Sequence, residues 1–319
     1  MKPRDSLRVT RLGDTDIAWA ESGSGSPLLL LHGLGDCHRT WRRVVPALAE
    51  HHRVITPDLP GHGLSGRPDA PYTLEWYAST LRAFLDALEL ERVDLAGHSY
   101  GGGVAQWMLL ERPERYRRLV LVAPGGLGRE VGIGMRLAAF PVLGPLLAPA
   151  AMRVGTRVMM RIAAGELGNP EPEEIDRLAW MNSMPGSGRA FTRTVCGCVD
   201  LLGQHQRTWD RIHLVPELPP VTLHWGTKDR IVPYTHALRA RERLVGAELS
   251  SYAGSGHFPH LDHPQRFAGE VARFLDDENP TPRPVLCQVP RSFELGGAVV
   301  HLLRRIGRAV GRVVRGIAA

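Results

Sequence analysis

Leu28-Leu29-Leu30-Leu31 is an uninterrupted apolar run, and a strand of that kind is stable only when both of its faces are covered. Similar strand signals recur at His52 to Pro57, Val93 to Ala96, Leu119 to Ala123, Val221 to Trp225 and Ala247 to Tyr252. Between them lie helical stretches at Trp41 to Glu50, at Thr73 to Leu88, and through Leu110 after a glycine-rich turn. Two shorter strands, Val9 to Arg11 and Thr15 to Ala20, precede the series and are joined by Gly13-Asp14. Strands that alternate with helices of this length pack as a mostly parallel central β-sheet flanked by helices, so the expected class is α/β. A chain of 319 residues can bury a sizeable core of this type.

The rhythm breaks between residues 125 and 216. This stretch opens with Gly125-Gly126, is punctuated by prolines, and carries Met135, Met152, Met159, Met160, Met181 and Met184 among helical apolar spacings. Inserted between two core strands, it reads as a helical cap over the carboxyl edge of the sheet, where open α/β proteins bind ligands. Its methionines fill the cap's own interior, and any that reach the pocket favour an apolar substrate portion. The expected organisation is therefore a core of 1–124 and 217–276, a cap of 125–216, a proline-rich linker of 277–290, and a basic amphipathic tail of 291–319.

Charge supports that division. The net charge of +6 lies entirely in residues 281–319, leaving the rest neutral, so a nucleic-acid-binding body is not expected. In the tail, Val299, Leu302, Leu303, Ile306, Val310, Val313 and Ile317 oppose Arg304, Arg305, Arg308, Arg312 and Arg315 on a helical wheel. Such a stripe either docks on the body or on a second copy of the chain, or rests peripherally on an anionic membrane surface. Cys37, Cys196, Cys198 and Cys287 are too few and scattered for a disulfide framework. No secretory signal is expected from the first residues, and no stretch reaches roughly 18 uncharged apolar residues. The implied setting is cytoplasmic, with the inner membrane surface as the alternative for the tail.

Chemistry concentrates at Gly97-His98-Ser99-Tyr100-Gly101-Gly102, directly after the Val93 to Ala96 strand. Glycines on either side of a serine permit a cramped strand-to-helix turn that pushes the hydroxyl forward. The turn also leaves the Tyr100 backbone N–H at a helix start, where it can meet a developing oxyanion.

With His32-Gly33-Leu34-Gly35 after the first buried strand, Asp58-Leu59-Pro60-Gly61-His62-Gly63-Leu64-Ser65 after the next, the turn at Ser99, and then Asp229 and His257, the chain resembles a cap-bearing α/β-hydrolase over roughly Leu7 to Asp276. That resemblance implies a Ser99–His257–Asp229 triad and an oxyanion hole made of the Leu34 and Tyr100 backbone N–H groups. Gly33, Gly35, Gly97 and Gly101 would shape the loops, and His32 would hydrogen-bond beneath the oxyanion loop. Asp58 is assigned no chemistry. Haloalkane dehalogenases and epoxide hydrolases of this fold use aspartate as nucleophile, so serine disfavours both. Ester hydrolysis through an acyl-enzyme is the first expectation, without metal or organic cofactor, on a small-molecule ester or activated carbonyl. Carbon–carbon hydrolysis of ring-fission-type diketones and haloperoxidase- or perhydrolase-like activity are the alternatives, and a noncatalytic binding role on the same scaffold is a third. The Gly33-Leu34-Gly35-Asp36 loop departs from the Gly-x-Gly-Pro-Gly-like pattern associated with the carbon–carbon hydrolases.

Overall fold

The computed structural model describes residues 7–139, 149–162, 165–166, 170–215, 217–276 and 285–286. An eight-stranded sheet organises them, in the spatial order β1 (Arg8–Leu12), β2 (Thr15–Ser22), β4 (His52–Pro57), β3 (Ser26–Leu31), β5 (Val93–His98), β6 (Tyr116–Val122), β9 (Val221–Gly226) and β11 (Glu248–Tyr252). Only the pairings of β2 with β1 and β4 are antiparallel, and the remaining pairs run parallel. Two small pairings complete the strands: β7 (Val199–Asp200) with β8 (Gly203–Gln204), and β10 (Leu244–Val245) with β12 (Val285–Leu286).

The apolar run in β3 explains the layering. Leu29 and Leu31 point into a cluster with Leu81, Phe84, Val104 and Met108, which come from α2 (Leu74–Ala87) and α3 (Tyr100–Glu111). Leu28 and Leu30 point the other way, toward Trp41, Val44, Phe267, Val271 and Phe274. A strand buried on both faces needs no polar alternation, because successive side chains both enter a core. On the first face α2 supplies Leu74, Tyr77, Ala78, Leu81, Phe84 and Leu85 at helical spacing, and Thr73 caps it by accepting from Trp76 N. On the second face lie α1 (Val45–Leu48) and α10 (Pro264–Asp276), preceded by the single turn α9 (Pro259–Asp262).

The helix expected over Trp41 to Glu50 is instead a 3-10 turn, His38–Trp41, followed by the single turn α1. Pro46 falls in that turn and lacks an N–H, and the chain bends there to bury Trp41, Val44 and Leu48 together.

Between β6 and β9 stand α4 (Ile133–Ala138), α5 (Pro149–Ile162), α6 (Pro172–Met181) and α7 (Ser187–Cys198), with α8 (Thr235–Arg243) following β9. The stretch is not wholly helical: it includes the β7–β8 hairpin, tied to the start of the same stretch where Gln204 N donates to Arg129 O at 2.8 Å. The tail and most of the linker anticipated from sequence lie outside the described residues. The pair Val285–Leu286, inside the expected linker, is a strand on β10. Among the described residues, no helix is long and apolar enough to cross a membrane.

Candidate active site

Ser99 sits at the junction of β5 and α3 with φ 52° and ψ −117°, a conformation rarely adopted by a residue with a side chain. Strain of this kind costs about 1–3 kcal/mol and persists only where its surroundings over-determine it. Here they do. Ser99 N donates to Val122 O at 2.9 Å, while Ser99 O accepts from Gly103 N at 3.1 Å and Gly125 N at 3.0 Å. Helix α3 also runs so close to the sheet that a Cβ on Gly101 would lie 2.6 Å from Leu31 O, and one on Gly97 2.7 Å from Gly102 Cα.

His257 lies on the loop after β11 and Asp229 on the loop after β9, adjacent parallel strands that bring the two loops to one edge. His257 Nδ1 stands 2.7 Å from Asp229 Oδ2. Asp229 Oδ1 accepts from Ile231 N at 2.8 Å and Val232 N at 2.9 Å, so the carboxylate is oriented by backbone and acts only as acceptor. That assigns the proton to Nδ1 and leaves the lone pair on Nε2, which is buried without a hydrogen-bond partner.

The His257 loop is held by two further groups that sequence reading did not identify. His98 Nε2 donates to His257 O at 3.0 Å, and the two rings lie 4.8 Å apart, so the residue preceding Ser99 fixes the backbone of His257. Burial, then the neighbouring His260 and His257, holds His98 well below the usual histidine range and keeps it neutral. From between α5 and α6, Glu166 O accepts from His257 N at 3.0 Å, and its carboxylate takes Arg230 N at 3.2 Å. A buried histidine beside a serine motif signals such packing weakly, and Glu166 carries no local signal.

The loop from His32 to Asp36, expected to carry an oxyanion donor, is held bond by bond. His32 Nε2 accepts from Leu59 N at 2.8 Å, so Nδ1 carries the proton and donates to Gly33 O at 2.7 Å. Burial lowers the His32 pKa and preserves this neutral tautomer. Gly33 O also accepts from Asp36 N at 3.3 Å, closing a turn in which Gly35 takes φ +71°. Gly33 C=O and Leu34 N–H belong to one trans peptide, so fixing the carbonyl turns the Leu34 N–H to the opposite side. The loop crosses tightly over the Ser99 turn: a Cβ on Gly33 would lie 3.2 Å from Ser99 Cβ. Tyr100 N, at the first turn of α3, has no intrahelical acceptor and adds the positive end of the helix dipole.

Beneath this loop, Cys37, His38 and Asp58 place potential metal-ligand atoms within 4.8 Å of one another. Their bonding does not suit a cation. Asp58 accepts from His38 N, His38 Nδ1 and Leu64 N, and burial pushes the Cys37 thiol well up, keeping it protonated. Burial would also raise Asp58, but the His38 hydrogen bond and charge more than offset it and leave it lowered. The group ties strand ends together. A cleft of about 960 Å³ lined by Asp86, Arg92, Arg115, Tyr116 and Glu217 lies at the amino ends of β5 and β6, the edge opposite Ser99.

Residues 28–270 match the model of the alpha/beta hydrolase family. An uncharacterized protein of Mycobacterium tuberculosis is 40% identical over 271 residues, covering 82% of this chain and 79% of that protein. The 2-hydroxymuconate semialdehyde hydrolase of a Pseudomonas species is 34% identical over 266 residues, covering 80% of this chain and 88% of the relative. Among solved structures, Cfl2 from Burkholderia cenocepacia superposes with a TM-score of 0.72 at 25% identity, over 86% of this chain and 97% of that one.

Proposed function

The chain belongs to the alpha/beta hydrolase family, and on that premise we propose that it is a serine hydrolase acting on a carboxylic ester with an apolar acyl or alcohol part. Ser99 Oγ attacks the carbonyl carbon while His257 Nε2 takes its proton. Asp229 stabilises the resulting imidazolium through Nδ1–H. Negative charge gathering on the carbonyl oxygen is met by the Leu34 and Tyr100 N–H groups, each donor of this type contributing about 2.7–4 kcal/mol. Collapse expels the alkoxide, which receives the proton from His257 and leaves an acyl-enzyme. Water, deprotonated by the same histidine, then releases the acid. In this reading residues 125–216 act as a cap that walls the substrate pocket.

The observation that carries the proposal is the buried 2.7 Å His257–Asp229 pair, with Nε2 unpartnered, tied through the His98 Nε2–His257 O bond to the residue that precedes a serine held at φ 52°. Similarity to 2-hydroxymuconate semialdehyde hydrolase favours a second reading, in which the same residues cleave a carbon–carbon bond beside a carbonyl. Against it stands the Gly33-Leu34-Gly35-Asp36 loop, which departs from the Gly-x-Gly-Pro-Gly-like pattern associated with the carbon–carbon hydrolases. The test is hydrolysis of p-nitrophenyl esters of increasing acyl length by wild type and Ser99→Ala, with a ring-fission dienoate in parallel. Ester turnover that falls by at least about 10⁴-fold in the variant is expected. Turnover confined to the dienoate would replace the ester reading, and none on either would remove catalysis.

A further inference from the structure

Asn182, at the C-terminal end of α6, donates from Nδ2 to Gly35 O at 2.9 Å. This bond joins two segments 147 residues apart, and the asparagine is buried, with 8% of its surface exposed. Its own backbone is settled, since Asn182 N donates to Leu178 O at 2.9 Å. Helix α6 lies along the stretch that follows the oxyanion loop. Leu178 and Met181 pack on Cys37, and Arg39, Arg42 and Arg43 reach Glu174 and Glu171 at 2.7, 2.7 and 2.6 Å.

Gly35 O is the far end of the Gly33–Asp36 turn. His32 holds Gly33 O, the carbonyl of the peptide that carries the Leu34 N–H, and Asn182 holds the Gly35–Asp36 peptide, whose own N–H closes the turn on Gly33 O. Gly35 O takes a hydrogen bond from Asn182, and at a φ of +71° Gly35 has no Cβ of its own to restrain the peptide that follows. We propose that Asn182 is a positioning residue for the oxyanion loop, so that the active site is complete only when α6 is seated against it. The inference rests on the serine-hydrolase reading for its catalytic consequence. Exposed ion pairs of the Arg42–Glu171 kind contribute little and adapt easily, whereas a buried amide-to-carbonyl bond is directional. Misplacing a catalytic group by about 1 Å can cost about 10²-fold in rate.

The experiment compares wild type, Asn182→Ala, the isosteric Asn182→Asp, which keeps the shape but loses the donor, and the control Glu171→Gln. Four quantities are read: kcat and KM on the best p-nitrophenyl ester, affinity for a boronic acid that mimics the tetrahedral state, thermal midpoint, and hydrogen exchange of residues 33–37. Expected are a fall in kcat of about 10- to 100-fold in both Asn182 variants, KM within about threefold, and boronate affinity falling in step with kcat. Exchange in 33–37 should accelerate about tenfold, while Glu171→Gln changes kcat less than twofold. Unchanged kcat, or a rise in KM alone, would assign Asn182 to substrate binding or to cap attachment and overturn the proposal. Exchange decides independently of chemistry. If wild type turns over no substrate, the serine-hydrolase reading fails by itself, and unchanged exchange at 33–37 in Asn182→Asp would separately overturn the positioning role.

Discussion

Around Ser99 the chain is held by its own backbone, whereas α6 and α7 are held by side chains, through buried groups such as Met181 and Ala190 and through ion pairs nearer the surface. The elbow uses Val122 O, Gly103 N and Gly125 N, and glycines at 97 and 101 leave no room for a Cβ. By contrast, α6 is attached through Arg39, Arg42 and Arg43 to Glu171 and Glu174, and α7 through Arg193 to Asp69. Backbone hydrogen bonds inside a packed core have one geometry, while half-exposed guanidinium–carboxylate pairs have many of nearly equal energy. The molecule thus combines a rigid sheet edge at Ser99 with more adaptable helix attachments, and Asn182–Gly35 is a buried link between them.

That contrast can be broken at several points. The largest effect should come from Asp229→Asn, which preserves shape but reverses the demand on His257 Nδ1. Turnover should fall about 10⁴-fold with an unchanged circular dichroism spectrum. A loss below tenfold would remove Asp229 from the triad. Next is Gly101→Ala, whose Cβ would meet Leu31 O at 2.6 Å in main chain that cannot yield cheaply. A destabilisation above about 4 kcal/mol, or failure to fold, is expected in urea unfolding.

Acid should weaken the rigid edge before the adaptable one. His32, His98 and His260 are lowered by burial, and His62 is lowered to about 3 for the same dominant reason. Their folded pKa values lie below the unfolded value of about 6.5, so below that pH the unfolded chain binds protons that the folded chain refuses. Stability is therefore full above about pH 6.5 and is lost as pH falls through and below it, by up to about 1.4 kcal/mol per pH unit for each histidine. A thermal midpoint flat from pH 7 to pH 5 would contradict the neutral-histidine account. The smallest effect belongs to Gly155→Ala in α5, where a Cβ meets nothing within 4 Å. A gain of about 0.5–1 kcal/mol is expected, opposite in sign to Gly101→Ala.

How much of this was written locally differs from residue to residue. Ser99 is readable because its strained backbone demands glycines at fixed offsets, and those demands appear as letters beside it. His32 and Gly33 are readable for the same reason, as a histidine and glycine directly after a doubly buried strand. Trp41 to Glu50 reads as one helix because periodicity cannot register that Trp41, Val44 and Leu48 must all turn toward one cluster. The β7–β8 hairpin was hidden in a helical-looking stretch because its anchor is Arg129 O, some seventy residues upstream.

By itself the sequence determined the alternation of strands and helices, the doubly buried centre of the sheet, and Ser99 as a candidate, since each follows from constraints that act over a few neighbouring residues, whereas Asp229 and His257 became candidates through the resemblance to a family. Only the tertiary structure decided that Asp229 Oδ2 meets His257 Nδ1, that His98 and Glu166 grip the His257 backbone from opposite sides, and that Asn182 reaches Gly35. Those contacts join residues 28 to 159 positions apart, where directional hydrogen bonds between distant segments exist only once the sheet has set its edge and the helices above it have found their places.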